Sequence, residues 1–143
     1  MYCIDASVLT NSQIEGEEHH EYSRKLMNFI AESETTVIVP EIALPEVASA
    51  IARGTGDAKK ALEFTKTLRQ LPNIVFIPLD SELSDLSSRL AAEYKLRGSD
   101  AVYVGAAELF NAKLITLDKE QLKRAPSHVL ALTPKQELER LKK

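Results

Sequence analysis

The chain has 143 residues, 44% of them hydrophobic and 27% charged, proportions ordinary for a globular protein. A chain this long should fold as a single domain over 1–143 and bury about 68–70% of its unfolded surface, so its core needs no disulfide or structural metal. Eighteen Lys+Arg against 21 Asp+Glu give a net charge of −3, which excludes nucleic-acid binding by bulk charge and leaves only a local site for it.

Nothing in the chain approaches the ~18 apolar residues of a membrane helix; the longest small-and-apolar run is Ala101–Ala107. No apolar stretch follows Met1, and the lone Cys3 suits a reducing compartment. The expected setting is cytoplasmic, with no membrane partner.

In chain order, Tyr2-Cys3-Ile4 reads as a first strand and Thr36-Val37-Ile38-Val39 as a second. A helix carrying Glu46 follows, starting at Glu41 or only at Pro45. Over 57–71, Ala61, Phe64, Leu68 and Leu71 share a helical face opposite Lys59 and Lys66. Ile74–Ile77 is a third strand, Asp80 leads into a helix over 81–94, and Ser99-Asp100 opens another. Leu114-Ile115-Thr116 and Val129–Leu132 are the last strands. Thr133, Pro134 and Gln136 are placed as N-cap, first helical residue and capping-box partner of a final helix. Short apolar strands alternating with longer helices imply a parallel α/β sheet.

Several familiar motifs fail. Gly54-Thr55-Gly56-Asp57-Ala58-Lys59 begins like a dinucleotide loop, but Lys59 replaces the third glycine and no strand precedes it. A P-loop and a G-x-S-x-G elbow are absent, and Cys3 lies within a buried strand. His19, His20 and His128 have no zinc spacing and read as surface or structural residues.

The acids remain. Ligands of open parallel sheets bind beyond the carboxyl ends of the strands, and there the chain places Asp5, Asp118 and, on helices nearby, Glu46 and Asp100. Each has an ordinary structural reading. Asp5 can make an Asx-turn with Ser7 beside it, Asp100 can face a helix dipole behind a Ser99 cap, and Asp118 can cap a helix with Gln121 three residues on. Glu46 borders an apolar face and wants a partner. Jointly they point further, since two carboxylates about 4 Å apart in a partly buried site repel by a few kcal/mol. Such a cluster holds a proton or a hard cation, Mg²⁺ or Mn²⁺.

Asp5-Ala6-Ser7, Pro45-Glu46-Val47-Ala48-Ser49, Ser99-Asp100-Ala101-Val102-Tyr103-Val104-Gly105-Ala106-Ala107 and Leu114-Ile115-Thr116-Leu117-Asp118, in this order, resemble the PIN-domain ribonucleases, and closely the stand-alone VapC-type toxins. The resemblance runs from Tyr2 to about Leu132 and is most specific over Arg97–Ala107. It implies a three-layer α/β/α fold with a five-stranded parallel sheet, and a Mg²⁺- or Mn²⁺-dependent ribonuclease that is often a homodimer neutralised by a small antitoxin. It places Asp5, Glu46, Asp100 and Asp118 at the four catalytic acids, with Ser7 and Thr116 at the supporting hydroxyls; Gly105 stands where relatives more often carry alanine.

The chemistry fits. A divalent cation offsets phosphodiester charge and activates water. Asp5, Asp100 and Asp118 are the expected metal ligands, and Glu46 orients or deprotonates the attacking water. Ser7 and Thr116 support the acids or touch phosphate. RNA contact falls to the basic residues of 53–69 and 119–124, with Arg53 and Lys119 preferred. The competing readings are a non-toxin RNA-processing nuclease, a non-catalytic binding module and an aspartate-based phosphatase. The phosphatase is weakened because Ser7 stands where its second Asp belongs.

Overall fold

Apolar runs too short for helices form the sheet, and the computed structural model describes all of residues 1–143. The strands are β1 (Tyr2–Ile4), β2 (Val37–Pro40), β3 (Ile74–Ile77), β4 (Lys113–Ile115) and β5 (Ala131–Leu132). They pair in parallel in the order β3-β2-β1-β4-β5. Every residue of β1 and β2 is buried, so the centre of the sheet is covered on both faces. The expected five-stranded parallel α/β architecture is present. The fourth and fifth strands are set slightly differently: Thr116 lies just beyond β4, and Val129-Leu130 precede β5.

The helices are α1 (Ala6–Asn11), α2 (His20–Ser33), α3 (Ala43–Thr55), α4 (Ala58–Gln70), α5 (Ser81–Tyr94), α6 (Gly98–Leu109), α7 (Lys119–Arg124) and α8 (Pro134–Leu141). Aspartates start several of them: Asp57 accepts from Lys60 N, Asp80 from Leu83 N and Asp118 from Gln121 N. Thr133 and Gln136 complete the capping box of α8 with Pro134 at its first position. The Gly54–Lys59 segment is the corner between α3 and α4, where Gly56 ends α3 at φ 70°. It is a helix C-cap and not a phosphate loop.

One expectation needs correction. The helix bearing Asp100 begins at Gly98 with Arg97 as its N-cap, which makes no side-chain cap bond. Ser99 is therefore inside the first turn, and Asp100 sits two positions deeper than a Ser99 cap implies.

The core is one cluster running from Tyr2 through Val129, and it includes all of β1 and nearly all of α6 from Ala101 to Ala107. The small residues of α6 let it lie close to the strands and to α5. Gly105 marks the tightest approach: a Cβ there would stand 2.9 Å from the Ser87 hydroxyl oxygen of α5. That hydroxyl is buried without a partner, which costs about 1 kcal/mol or more. Replacing Ser87 by alanine removes the orphan and clears space for a helix-favouring alanine at 105, worth about 1 kcal/mol. The double variant Ser87→Ala/Gly105→Ala should be more stable in urea melts by about 1–2 kcal/mol, and Gly105→Ala alone should gain less. A double variant weaker than the parent would mean that the two helices are already at their closest packing.

Candidate active site

Parallel strands deliver their chain ends to one edge, and the order β3-β2-β1-β4-β5 makes the β1/β4 boundary the place where the chain reverses direction across the sheet. Asp5 leaves β1 there. Its N–H donates to the Ile115 carbonyl of β4 at 3.2 Å, and its carboxylate caps α1 through Val8 N. The segment after β4 is laced to it. Thr116 Oγ1 donates to Asp5 Oδ2 at 2.8 Å and accepts from Asp118 N at 2.9 Å. Ser7 Oγ donates to Asp5 Oδ1 at 2.5 Å and accepts from Leu117 N at 3.0 Å. Thr116 is wholly buried, and its hydroxyl is engaged by Asp5 and Asp118 N.

Asp100, in the first turn of α6, reaches the same place through a neutral side chain. Gln121 Nε2 donates to Asp5 Oδ2 and to Asp100 Oδ1, both at 2.9 Å. Gln121 is set there by Asp118, whose Oδ1 takes the Gln121 N–H at 2.9 Å as the N-cap of α7. Three of the four acids thus converge on one glutamine. Glu46, in the first turn of α3, accepts from the Tyr103 hydroxyl of α6 at 2.5 Å. It also lines the groove formed by Ala6, Ser7, Thr10, Asn11 and Leu117, so it shares a wall with the Asp5 side of the site.

The electrostatics follow from burial. Asp5 is 3% exposed and all its partners are neutral donors. Desolvation pushes its carboxyl up to about 6, against the lowering effect of the Ser7, Thr116, Val8 and Gln121 bonds. Burial raises Asp100 too, with Asp118 adding to the shift and Gln121 and Arg97 opposing it. Burial and the bond to Glu46 push the Tyr103 phenol up, so it stays a donor to that carboxylate. Burial likewise pushes up the Cys3 thiol, which is no nucleophile.

As they stand, no three Asp, Glu, His or Cys side chains form a metal-ligand arrangement. The reason is visible in the contacts: Gln121 lies between Asp5 and Asp100, Asp118 is turned to its cap, and Glu46 to Tyr103. The residues nonetheless suit a hard cation. They offer carboxylate oxygens without a cationic hydrogen-bond partner, and the buried Gln121 Oε1 has no partner of its own.

The histidines are structural or peripheral. His20 is buried with Nδ1 2.7 Å from the Asn11 carbonyl, His19 is exposed at the start of α2, and His128 pairs with Glu108. Among the basic residues, Arg69 is held by Glu41 and Arg124 by Glu120. Arg53 has no ion-pair partner and lines a groove of about 390 Å³ with Pro45, Glu46, Ser49 and Ala50. Lys119 is exposed at the first position of α7.

Three residues were not legible as site residues beforehand. Tyr103 and Arg97 fall within the segment on which the resemblance is most specific, but the sequence assigns neither a role. Gln121 was placed only as the third residue after a cap. Its capping-box spacing with Asp118 was the one available signal.

Residues 2–127 match the PIN domain family. Solved structures of similar fold include a toxin–antitoxin complex from Klebsiella pneumoniae, at TM-score 0.68 and 21% identity over 94% of this chain and 98% of that one. FitAcB from Neisseria gonorrhoeae is similar at TM-score 0.71 and 18% identity, covering 94% of this chain and 98% of that one. VapC20 of Mycobacterium tuberculosis, described as a sarcin-ricin-loop-cleaving toxin, is similar at TM-score 0.74 and 13% identity, covering 90% and 98%. At such identities the likeness is one of fold. No curated protein matches the sequence significantly.

Proposed function

The chain belongs to the PIN domain family, and on that premise we propose that it is a divalent-metal-dependent ribonuclease, the toxin of a toxin–antitoxin pair. The observation that carries the reading is the pair of buried carboxylates, Asp5 and Asp100, brought together at the reversal point of a parallel sheet with only neutral donors between them. Such a pair is costly for folding alone. It gains its use when a cation arrives.

Asp5 and Asp100 would hold Mg²⁺ or Mn²⁺, with Asp118 adding an oxygen directly or through water. The bound ion would supply charge neutralisation of the scissile phosphodiester and a more acidic water. Ser7 and Thr116 fix the Asp5 carboxylate from both its oxygens. Tyr103 fixes Glu46, leaving the second Glu46 oxygen to orient the attacking water and take its proton. Arg53 sits along the groove from Glu46 and is placed to take an RNA phosphate. Lys119, next to Asp118, serves the other side.

The toxin role rests on the solved structures of like fold, one of which is a toxin–antitoxin complex and another a toxin. A small antitoxin and a homodimer belong to the same reading, as does a cytoplasmic setting. No helix is long and apolar enough to cross a membrane.

The test is cleavage of matched labelled RNA and DNA oligonucleotides with EDTA, Mg²⁺ or Mn²⁺. Metal-dependent cutting of RNA alone is expected. Equal cutting in EDTA, or of DNA in preference, contradicts the proposal. Arg53→Ala should weaken RNA binding by about tenfold, one phosphate contact, and flatten its salt dependence. Unchanged affinity in a filter-binding titration would place the RNA track elsewhere.

A further inference from the structure

We propose that the Gln121 amide is a placeholder for the cation: its nitrogen holds Asp5 and Asp100 together in the metal-free protein and must leave when the ion binds. The inference rests on the metal-site reading above and names the side chain that moves.

A carboxylate has about four acceptor positions, and those of Asp5 are all taken. Oδ1 accepts from Ser7 Oγ and Val8 N, and Oδ2 from Thr116 Oγ1 and Gln121 Nε2. A cation can bind Asp5 only if one donor withdraws. Three are fixed by second attachments. Val8 N belongs to the first turn of α1, Ser7 Oγ also takes the Leu117 N–H, and Thr116 Oγ1 also takes the Asp118 N–H. The Gln121 amide is different. Its only side-chain hydrogen bonds are the two that its nitrogen makes to Asp5 and Asp100, and its Oε1 is buried with no partner at all. Nothing else tethers the amide, while its backbone N–H stays anchored by Asp118. The side chain is buried, at 1% exposure, but those two bonds are its only polar hold, so the amide can let go of the acids while the main chain stays fixed.

Position reinforces the argument. Nε2 is 2.9 Å from one oxygen of each carboxylate, the place between two acids where a bridging cation belongs. Its two hydrogens supply the partial positive charge that the ion later replaces. A leucine or valine there would bring two bare carboxylates together, and a lysine would compete with the ion at full charge.

The experiment follows the Gln121 side-chain NH₂ signals by nitrogen-15 NMR in EDTA-treated wild-type protein while Mg²⁺ is added. Bridged amide protons should exchange slowly at first. They should then shift and exchange faster as Mg²⁺ saturates, in step with the backbone signals of Asp5 and Asp100. Backbone signals that respond while the Gln121 NH₂ pair stays unmoved would overturn the placeholder and leave the metal site standing. No response anywhere would remove the metal site and the placeholder together.

A second arm measures Mn²⁺ binding by electron paramagnetic resonance at pH 8 in Gln121→Met, which keeps the length and loses the donor. Its dissociation constant should fall at least about tenfold, since the two hydrogen bonds to Asp5 and Asp100 are no longer broken on loading, and its metal-free melting temperature should drop. Weaker Mn²⁺ binding with an unchanged melting temperature would contradict the proposal.

Discussion

Asp100→Asn should lower RNA cleavage by about a thousandfold or more, the several kcal/mol that a cation contributes to phosphoryl transfer, without unfolding the protein. Asparagine fills nearly the same volume and its carbonyl still accepts from Gln121 Nε2, so the bridge to Asp5 keeps its geometry. The charge that burial and Asp118 make costly is gone. The metal-free variant should therefore melt at the same temperature as the parent or higher, activity having been traded for stability at this position. Mn²⁺, which stabilises the parent by mass action, should no longer raise its melting temperature. In cells, overproduced parent should arrest growth and the variant should not. A variant that cuts as well as the parent, or that fails to fold, would remove Asp100 from the chemistry or recast it as structural.

The second large effect is a pH dependence opposite to that of most carboxylates. The Asp5 carboxyl lies at about 6 in the folded chain and at 3.8 as an ordinary side chain, so between about pH 4 and 6 the native state holds a proton that the unfolded state has released. Stability from this group is fully present below pH 4 and is lost as pH rises through 6. The loss is about 3 kcal/mol by pH 7. Urea melts in EDTA at pH 4.5 and 7 should show about 2 kcal/mol of that loss in the parent and none in Asp5→Asn, which has no proton to lose. Metal binding carries the reverse dependence: Mn²⁺ affinity should weaken below pH 6, by up to about tenfold per unit for this single proton. Equal pH slopes in parent and Asp5→Asn would mean that Asp5 is not the buried acid described.

Much of the fold is written locally. Tyr2–Ile4 and Val37–Pro40 are apolar without alternation, as strands covered on both faces are, and the capping box at Thr133 appears as read; Ile74–Ile77 has the same look, but at the sheet edge it leaves Val75 exposed. The short α1 and α7 carry too few turns for periodicity, and each owes its start to an aspartate that also serves the site. The start of α6 was misplaced because Arg97, at its N-cap, makes no side-chain cap bond.

The four acids could be found from strand ends and order, yet their mutual geometry could not. Gln121 has the spacing of a capping box with Asp118. Its side chain instead turns inward to Asp5 and Asp100, a choice made by contacts 116 and 21 residues away in sequence. Glu137 shows the same limit outside the site. It sits on a highly charged helix but is wholly buried, with Lys113 Nζ 3.3 Å away, because α8 packs its inner face on the sheet edge.

The central claim is that the Asp5–Asp100 pair binds a divalent ion and that this ion enables RNA hydrolysis. The most direct measurement titrates Mn²⁺ into EDTA-stripped protein and reads bound Mn²⁺ and RNA cleavage rate on the same samples. The account predicts that both rise and saturate together in the parent, and that Asp100→Asn shows neither. Cleavage already complete before Mn²⁺ is added, or Mn²⁺ bound equally by parent and variant, would contradict it.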